Sequence, residues 1–401
     1  MTRSAAAPRW QALMEFLQRE AVAGVVLLLA AVAAMIWANS SAGDSYIAFW
    51  HHEVTLGWGD WAITEDRLHW VNDLLMALFF FVVGLEIKRE LAVGELRSPR
   101  AAALPVMAAL GGVAVPAVIY LILAPGGEAA RGWGVPMATD IAFAVGVLAL
   151  VGARAAAGTK LLLLSIAIVD DILAIIVIAV VYTETVKWGW LAVAVGVVLA
   201  ILGMRRWFGS PWAYLLPALV LWLAVFECGV HATLAGVALG LLTPAGPVRG
   251  RPVLETLEHR LHPYTAFLIV PIFALANAGV DLRGGVLGEA LRQPLTWAVA
   301  VGLVVGKFVG IGGVALLARK FGWGELPSGT PARQVWPVAA LGGIGFTVAL
   351  FIADLAFTDP ILIIQAKVGI FVASLTAAVL GLLLLWLVTR RVGRSSATEP
   401  V

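Results

Sequence analysis

The chain has 401 residues, 61% apolar and only 13% charged, with 16 Trp, 42 Gly and one cysteine, Cys228. Soluble domains carry about 45–50% apolar and 25% charged residues, so this composition excludes a water-soluble globule and indicates an all-α polytopic membrane protein whose apolar exterior faces lipid. The lone cysteine excludes a disulfide framework, and a net charge of +2 gives no reason to expect a nucleic acid partner.

Residues 1–20 are basic and partly amphipathic and read as an interfacial segment. The apolar run 21–37 that follows is too long for a signal h-region and lacks a small-x-small cleavage site, so it reads as the first span. In the loop 39–69, alternation around 54–63 with Gly57 and Gly59 at the turn predicts a small extracytoplasmic β-hairpin. Further spans are predicted at about 70–90, 101–123, 134–151, 161–182, 188–204, 212–227, 230–243, 264–280, 295–318, 335–354 and 361–388, twelve in all, against the roughly 20 residues a straight span needs. Residues 389–401 read as a cytoplasmic tail, and 1–401 as one integral membrane transporter domain.

Basic residues set the expected orientation. Of the 27 Lys and Arg, only Arg67, Arg131, Lys187, Arg283 and Arg292 fall on the outer side, and Lys307 and Lys367 fall within spans. The rest cluster at the other side, which the positive-inside rule makes cytoplasmic together with both termini.

Ionisable residues deep in a span are expensive and mark function. Asp73, Asp140, the adjacent Asp170 and Asp171, and Lys307 are such residues. Glu227 reads instead as a loop-side group, Asp354 as an interface or capping carboxylate, and Lys367 as a lysine that snorkels along its stem. Asp170 and Asp171 lie within LSIAIVDDILAIIVIAV; neighbours on a helix point about 100° apart, so at least one must face protein or a water-filled cavity. The span bearing Asp140 begins irregularly, after Gly134, Pro136 and Thr139, and the segment 341–351 is interrupted by Gly342, Gly343 and Gly345. Two broken segments in corresponding positions of two halves point to a transporter binding site at a repeat interface. Carboxylates and a threonine hydroxyl are hard oxygen ligands that suit a small hard cation or a proton. With no nucleotide-binding loop and no hydrolytic motif, the reading is a secondary transporter without cofactor, not an enzyme.

The stretches WVNDLLMALFFFVVGLEIKREL (70–91), ATDIAFAVGVLALVG (138–152), AIVDDILAI (167–175), GVHATLAGV (229–237), LEHRLHP (257–263), FALANAGV (273–280), GLVVGKFVGI (302–311) and GGIGFT (342–347) closely resemble the NhaA-type sodium/proton antiporters, in the family's order. The resemblance implies that Asp170 and Asp171 bind Na⁺, with Asp171 the more essential. It implies that Asp140 and Thr139 are their partners on the broken helix, that Lys307 pairs with the first aspartate, and that Asp73 lines the route. It assigns Glu86, Glu258 and His262 to a cytoplasmic cluster tied to pH response, with His231 near that behaviour. It further implies inverted-topology repeats, electrogenic exchange, with more protons entering than Na⁺ leaving, activation at alkaline pH, and Li⁺ as a second substrate. The expected setting is a bacterial inner membrane, with lipid around it and a homodimer joined through the 54–63 hairpin. Ile172-Leu173 replaces a frequent Leu-Gly, Phe308 a frequent proline, and Glu255 and Thr256 stand where some members are basic; the last bears on the pH threshold. The competing reading is a sodium-coupled symporter of a small organic anion, for which no arginine is placed inside a span to clamp a carboxylate.

Overall fold

Long apolar runs fold into long helices, because a backbone without water must satisfy its own hydrogen bonds. The computed structural model describes residues 7–57, 59, 62–150, 156–183, 185–205, 211–248, 250 and 252–395, and it is about 80% helical. Residues 1–6 of the N-terminal segment, 396–401 of the tail, Trp58, Asp60 and Trp61 of the hairpin turn, and Arg154, Arg206, Arg249 and Arg251 of the basic clusters lie outside the described residues.

Among the described residues, six helices are long and apolar enough to cross a bilayer: Ala21–Asn39, Arg67–Ala92, Pro99–Leu123, Ala157–Val181, Pro294–Lys320 and Pro360–Arg390. Two bent pairs add up to two more, Gly127–Met137 with Ile141–Leu150 and Ala332–Leu341 with Phe346–Ala356, each bent by 47°. Trp188–Met204, Trp212–Cys228 and Thr233–Leu242 are shorter apolar helices. The remaining apolar segment, expected at 264–280, belongs to a helix that begins earlier, at Val253. The N-terminal segment is no separate helix in the described part: helix runs unbroken over Ala7–Asn39, where no proline follows Pro8.

The chain packs as two units. The first comprises the residues up to Leu29, Arg100–Asp170 and those from Leu287 onward. It holds both bent pairs, and its helices approach at backbone distance. A Cβ on Gly306 would lie 2.7 Å from the Pro116 Cα, so only glycine lets Pro294–Lys320 seat against Pro99–Leu123.

The second unit comprises Ala30–Pro99 and Asp171–Val286. Here Arg67–Ala92 packs on Thr233–Leu242, and a Cβ on Gly240 would lie 2.7 Å from the Gly84 Cα. The hairpin is longer than its sequence pattern: strands Glu53–Leu56 and Ile63–Asp66 pair antiparallel from Glu53↔Asp66 to Leu56↔Ile63. Gly57 and Gly59, expected at the turn, both adopt positive φ there. Asp66 closes the base by accepting from His51 and His69.

Three apolar helices contain a π-helical turn among the described residues: Val71–Leu75, Thr265–Ile269 and Gly302–Gly306.

Candidate ion-binding site

The two bent helices of the first unit meet at their breaks. Residues 138–140 are non-helical, and the Asp140 amide donates to the Ile344 carbonyl at 2.6 Å. The Thr139 hydroxyl donates to the Gly342 carbonyl at 2.8 Å. Each break thus satisfies backbone groups of the other, as non-helical backbone among apolar helices requires.

One carboxylate serves both half-helices that leave the crossing. Asp140 Oδ1 accepts from the Phe143 amide at 2.9 Å, an N-cap on Ile141–Leu150. Asp140 Oδ2 accepts from the Thr347 amide at 3.0 Å and the Thr347 hydroxyl at 2.6 Å, in the first turn of Phe346–Ala356. Two positive helix ends therefore converge on a single carboxyl group.

Asp170 is satisfied in a different way. Lys307 Nζ donates to both of its oxygens, at 2.8 and 2.7 Å, and the two side chains are 1% and 0% exposed. Thr139 lies against the same carboxylate. Lys307 follows the π turn Gly302–Gly306, and π turns inside α-helices are frequent at functional positions. A buried ion pair adds little net stability, because desolvation offsets most of the attraction. Its presence here is better explained by chemistry. Asp171, the next residue of the same helix, is 7% exposed.

The other expected residues fall in the second unit. Asp73 occupies the π turn Val71–Leu75, half-buried, with its carbonyl accepting from Trp222 Nε1. Glu86 Oε1 lies 3.9 Å from His262 Nε2. Glu258 is paired with Arg89, which also reaches Glu90 at 3.2 Å. Glu258 lies ahead of the apolar part of its helix; burial pushes its carboxyl above the ordinary carboxylate range, against the pull of Arg89 and His262. His231 does not join this cluster. It sits in the turn before Thr233–Leu242, hydrogen-bonded to the Tyr182 carbonyl at 2.9 Å. Gly236, five residues on, packs against Ala77. Ala77 lies about 13 Å along its helix from Glu86 at 1.5 Å per residue.

Three groups escaped the sequence reading. Arg89 was grouped only with cytoplasmic charges, although its position three residues after Glu86 places it on the same helix face. Thr347 is the first hydroxyl after the glycine break, a signal that could have named it. Asp354 and Lys367, read separately as cap and snorkelling lysine, form a pair at 3.0 Å with both side chains largely buried. Helical spacing places a group on a face but not opposite its partner. Glu227 does lie near a loop, 3.6 Å from Lys187.

Titratable groups held inside apolar helices, next to backbone that is broken and mutually satisfied, define an ion-transporting integral membrane protein. Comparison with known proteins narrows that class. The chain belongs to the Na⁺/H⁺ antiporter 1 family, whose model matches residues 14–385. It is 46% identical to the Na⁺/H⁺ antiporter NhaA of Janthinobacterium sp. (strain Marseille), over 92% of this chain and 91% of the relative. It is 49% identical to Na⁺/H⁺ antiporter NhaA 1 of Erythrobacter litoralis (strain HTCC2594), over 92% and 91%. It is 47% identical to NhaA 2 of the same organism, over 97% of both chains.

Proposed function

We propose that this protein exports Na⁺, or Li⁺, across a bacterial inner membrane in exchange for a larger number of protons. The observation that carries the reading is the Asp170–Asp171 pair in the middle of an apolar helix, with Lys307 closed on Asp170 inside the protein. Asp170 and Asp171 are the cation ligands. Thr139 and Asp140 hold the neighbouring backbone, and Asp73 lines the route.

Competition follows from the chemistry of the pair. With Lys307 protonated and on Asp170, the carboxylate is already neutralised. A cation takes the carboxylates only when protons leave, because an ammonium and Na⁺ cannot both occupy the same oxygens. On the cytoplasmic side at alkaline pH the site loses protons and accepts Na⁺; facing outward, protons displace it. More than one proton leaves per Na⁺ bound, so the cycle moves net charge and is driven by the inside-negative potential.

The wider arrangement is proposed with it: twelve spans in inverted-topology repeats, both termini cytoplasmic, and a homodimer through the hairpin. Glu86, Glu258 and His262 set the alkaline activation, with His231 modulating it from the other end of its helix.

The test is proton movement in everted vesicles, followed by dequenching of a ΔpH dye as Na⁺, Li⁺, K⁺ or small organic anions are added in turn. Dequenching by Na⁺ and Li⁺ alone is expected. A response that requires an organic anion would replace the antiporter with a sodium-coupled symporter.

A further inference from the structure

The Asp354–Lys367 pair lies outside the proposed ion site, yet it stands on the half-helix that completes it. Phe346–Ala356 is only 11 residues long and nearly all buried, and Asp354 is its one ionisable residue. Asp354 follows Thr347 by seven positions, two helical turns, so the two share a face to within about 20°. At one end of that face Thr347 grips Asp140. At the other, Asp354 Oδ1 meets Lys367 Nζ at 3.0 Å.

Lys367 stands on the long helix Pro360–Ser395, which runs back along the half-helix. The two are joined at a second level, where the Phe346 amide donates to Ser374 Oγ at 3.3 Å. Ser374 is seven residues beyond Lys367 and Phe346 eight before Asp354, so both links belong to one antiparallel register. The long helix is itself tightly seated: a Cβ on Gly369 would lie 2.6 Å from the Thr296 carbonyl oxygen, on the helical span that goes on to carry Lys307. The link between the two helices is held too, since Glu128 Oε1 accepts from the amide and hydroxyl of Thr358 at 2.9 Å each.

The rest of the half-helix surface is alanine, valine, leucine, isoleucine and phenylalanine. Apolar packing is non-directional and resists sliding along the axis only weakly. A buried charge pair is directional, and setting register is the best-attested use of such pairs. We propose that Asp354 and Lys367 are positioning residues that fix the axial seat of Phe346–Ala356 and thereby hold Thr347 on Asp140. The pair acts on cation affinity through the crossing and touches no ion. This inference rests on the exchange function proposed above.

The experiment is the double variant D354L/K367M, which removes both charges together and leaves neither buried alone. In everted vesicles the KM for Na⁺ is expected to rise about tenfold, the scale on which groups behind an ion site act, with the maximal rate little changed. The charge-swapped D354K/K367D should return KM toward the wild-type value. Hydrogen–deuterium exchange over 344–356 should speed up in the double variant and slow again in the swap. An unchanged KM in a well-inserted double variant overturns the proposal. Should the double variant fail to accumulate, K367R is read instead: it keeps the charge but alters its reach, so a raised KM supports the proposal and an unchanged one overturns it. Wild-type protein without cation-dependent exchange would overturn the proposed function and not this inference, which the deuterium measurement tests separately.

Discussion

Asp140 and Asp170 are both nearly inaccessible carboxylates in the same packing unit, but their partners differ in kind. Asp140 is surrounded by groups that carry no formal charge: three amides and a hydroxyl, from the first turns of two half-helices. Asp170 also accepts from the Thr139 amide and hydroxyl, but both of its oxygens are taken by one ammonium. Backbone amides cannot leave without unwinding a helix, whereas an ammonium can give up a proton and release its oxygens. A carboxylate committed to helix ends is part of the framework, and one committed to a titratable partner is available for exchange.

The comparison breaks most severely at Asp171, placed here on the exchangeable side. D171N should insert normally and show no Na⁺- or Li⁺-dependent proton movement between about pH 6.5 and 9. An amide keeps the size and one carbonyl oxygen but binds neither Na⁺ strongly nor a proton. Full exchange in vesicles normalised for D171N protein would remove Asp171 from the ion site.

An intermediate effect is expected at Asp140. Asn at this position still caps the Phe143 amide through its carbonyl, but its NH₂ then faces the Thr347 amide. D140N should lose about 1–3 kcal/mol of stability, the cost of a buried donor left unmatched, and retain reduced exchange. Thermal unfolding in detergent and vesicle exchange, measured together, decide the matter. Normal stability with no exchange at all would move Asp140 into the group that handles the ion.

The smallest effect lies away from the crossing, at Glu258. Its carboxyl is held above the ordinary range by burial, so folded protein keeps that proton to higher pH than the unfolded chain. The stability this contributes is complete below the ordinary carboxylate range and is lost as pH rises through the raised value. E258Q is fixed in the uncharged form. Its unfolding temperature should therefore fall less than wild type over that rise. Its exchange profile should move to higher pH by less than about one unit. An unmoved profile would leave Glu258 as an ion-pair partner of Arg89 without a part in pH response.

Much of this was legible in the sequence, because a charge in an apolar run has few explanations. The Asp170–Asp171 doublet, Lys307, and the breaks at Pro136 and Gly342-Gly343-x-Gly345 announced themselves by their cost in lipid. Apolar runs placed most helical segments to within a few residues; the starts at Ala7, Gly127 and Val253 and the end at Ser395 lie farther from the expected bounds. What stayed hidden were the partners across elements. Nothing in the spacing of Asp140 shows that both of its oxygens are taken by helix ends, one of them more than two hundred residues away. Asp354 and Lys367 looked like two separate interfacial groups, because a thirteen-residue separation across a turn carries no periodic signal. The hairpin register also extended past its alternating core, since strand ends depend on a turn that alternation does not encode.

The π turn Gly302–Gly306 has a consequence for how this sequence tolerates change in length. Such a turn holds one residue more than α geometry needs. Losing one of the five with relaxation to α would keep the helix after it in phase, whereas closing all five into α geometry would turn everything after them by about 100°. Lys307 would then leave Asp170 with its own side chain untouched. Substitutions in the turn that keep glycine at 306 leave that direction intact. The aim of the buried lysine is thus written in the winding of the turn before it as much as in the identities of its residues.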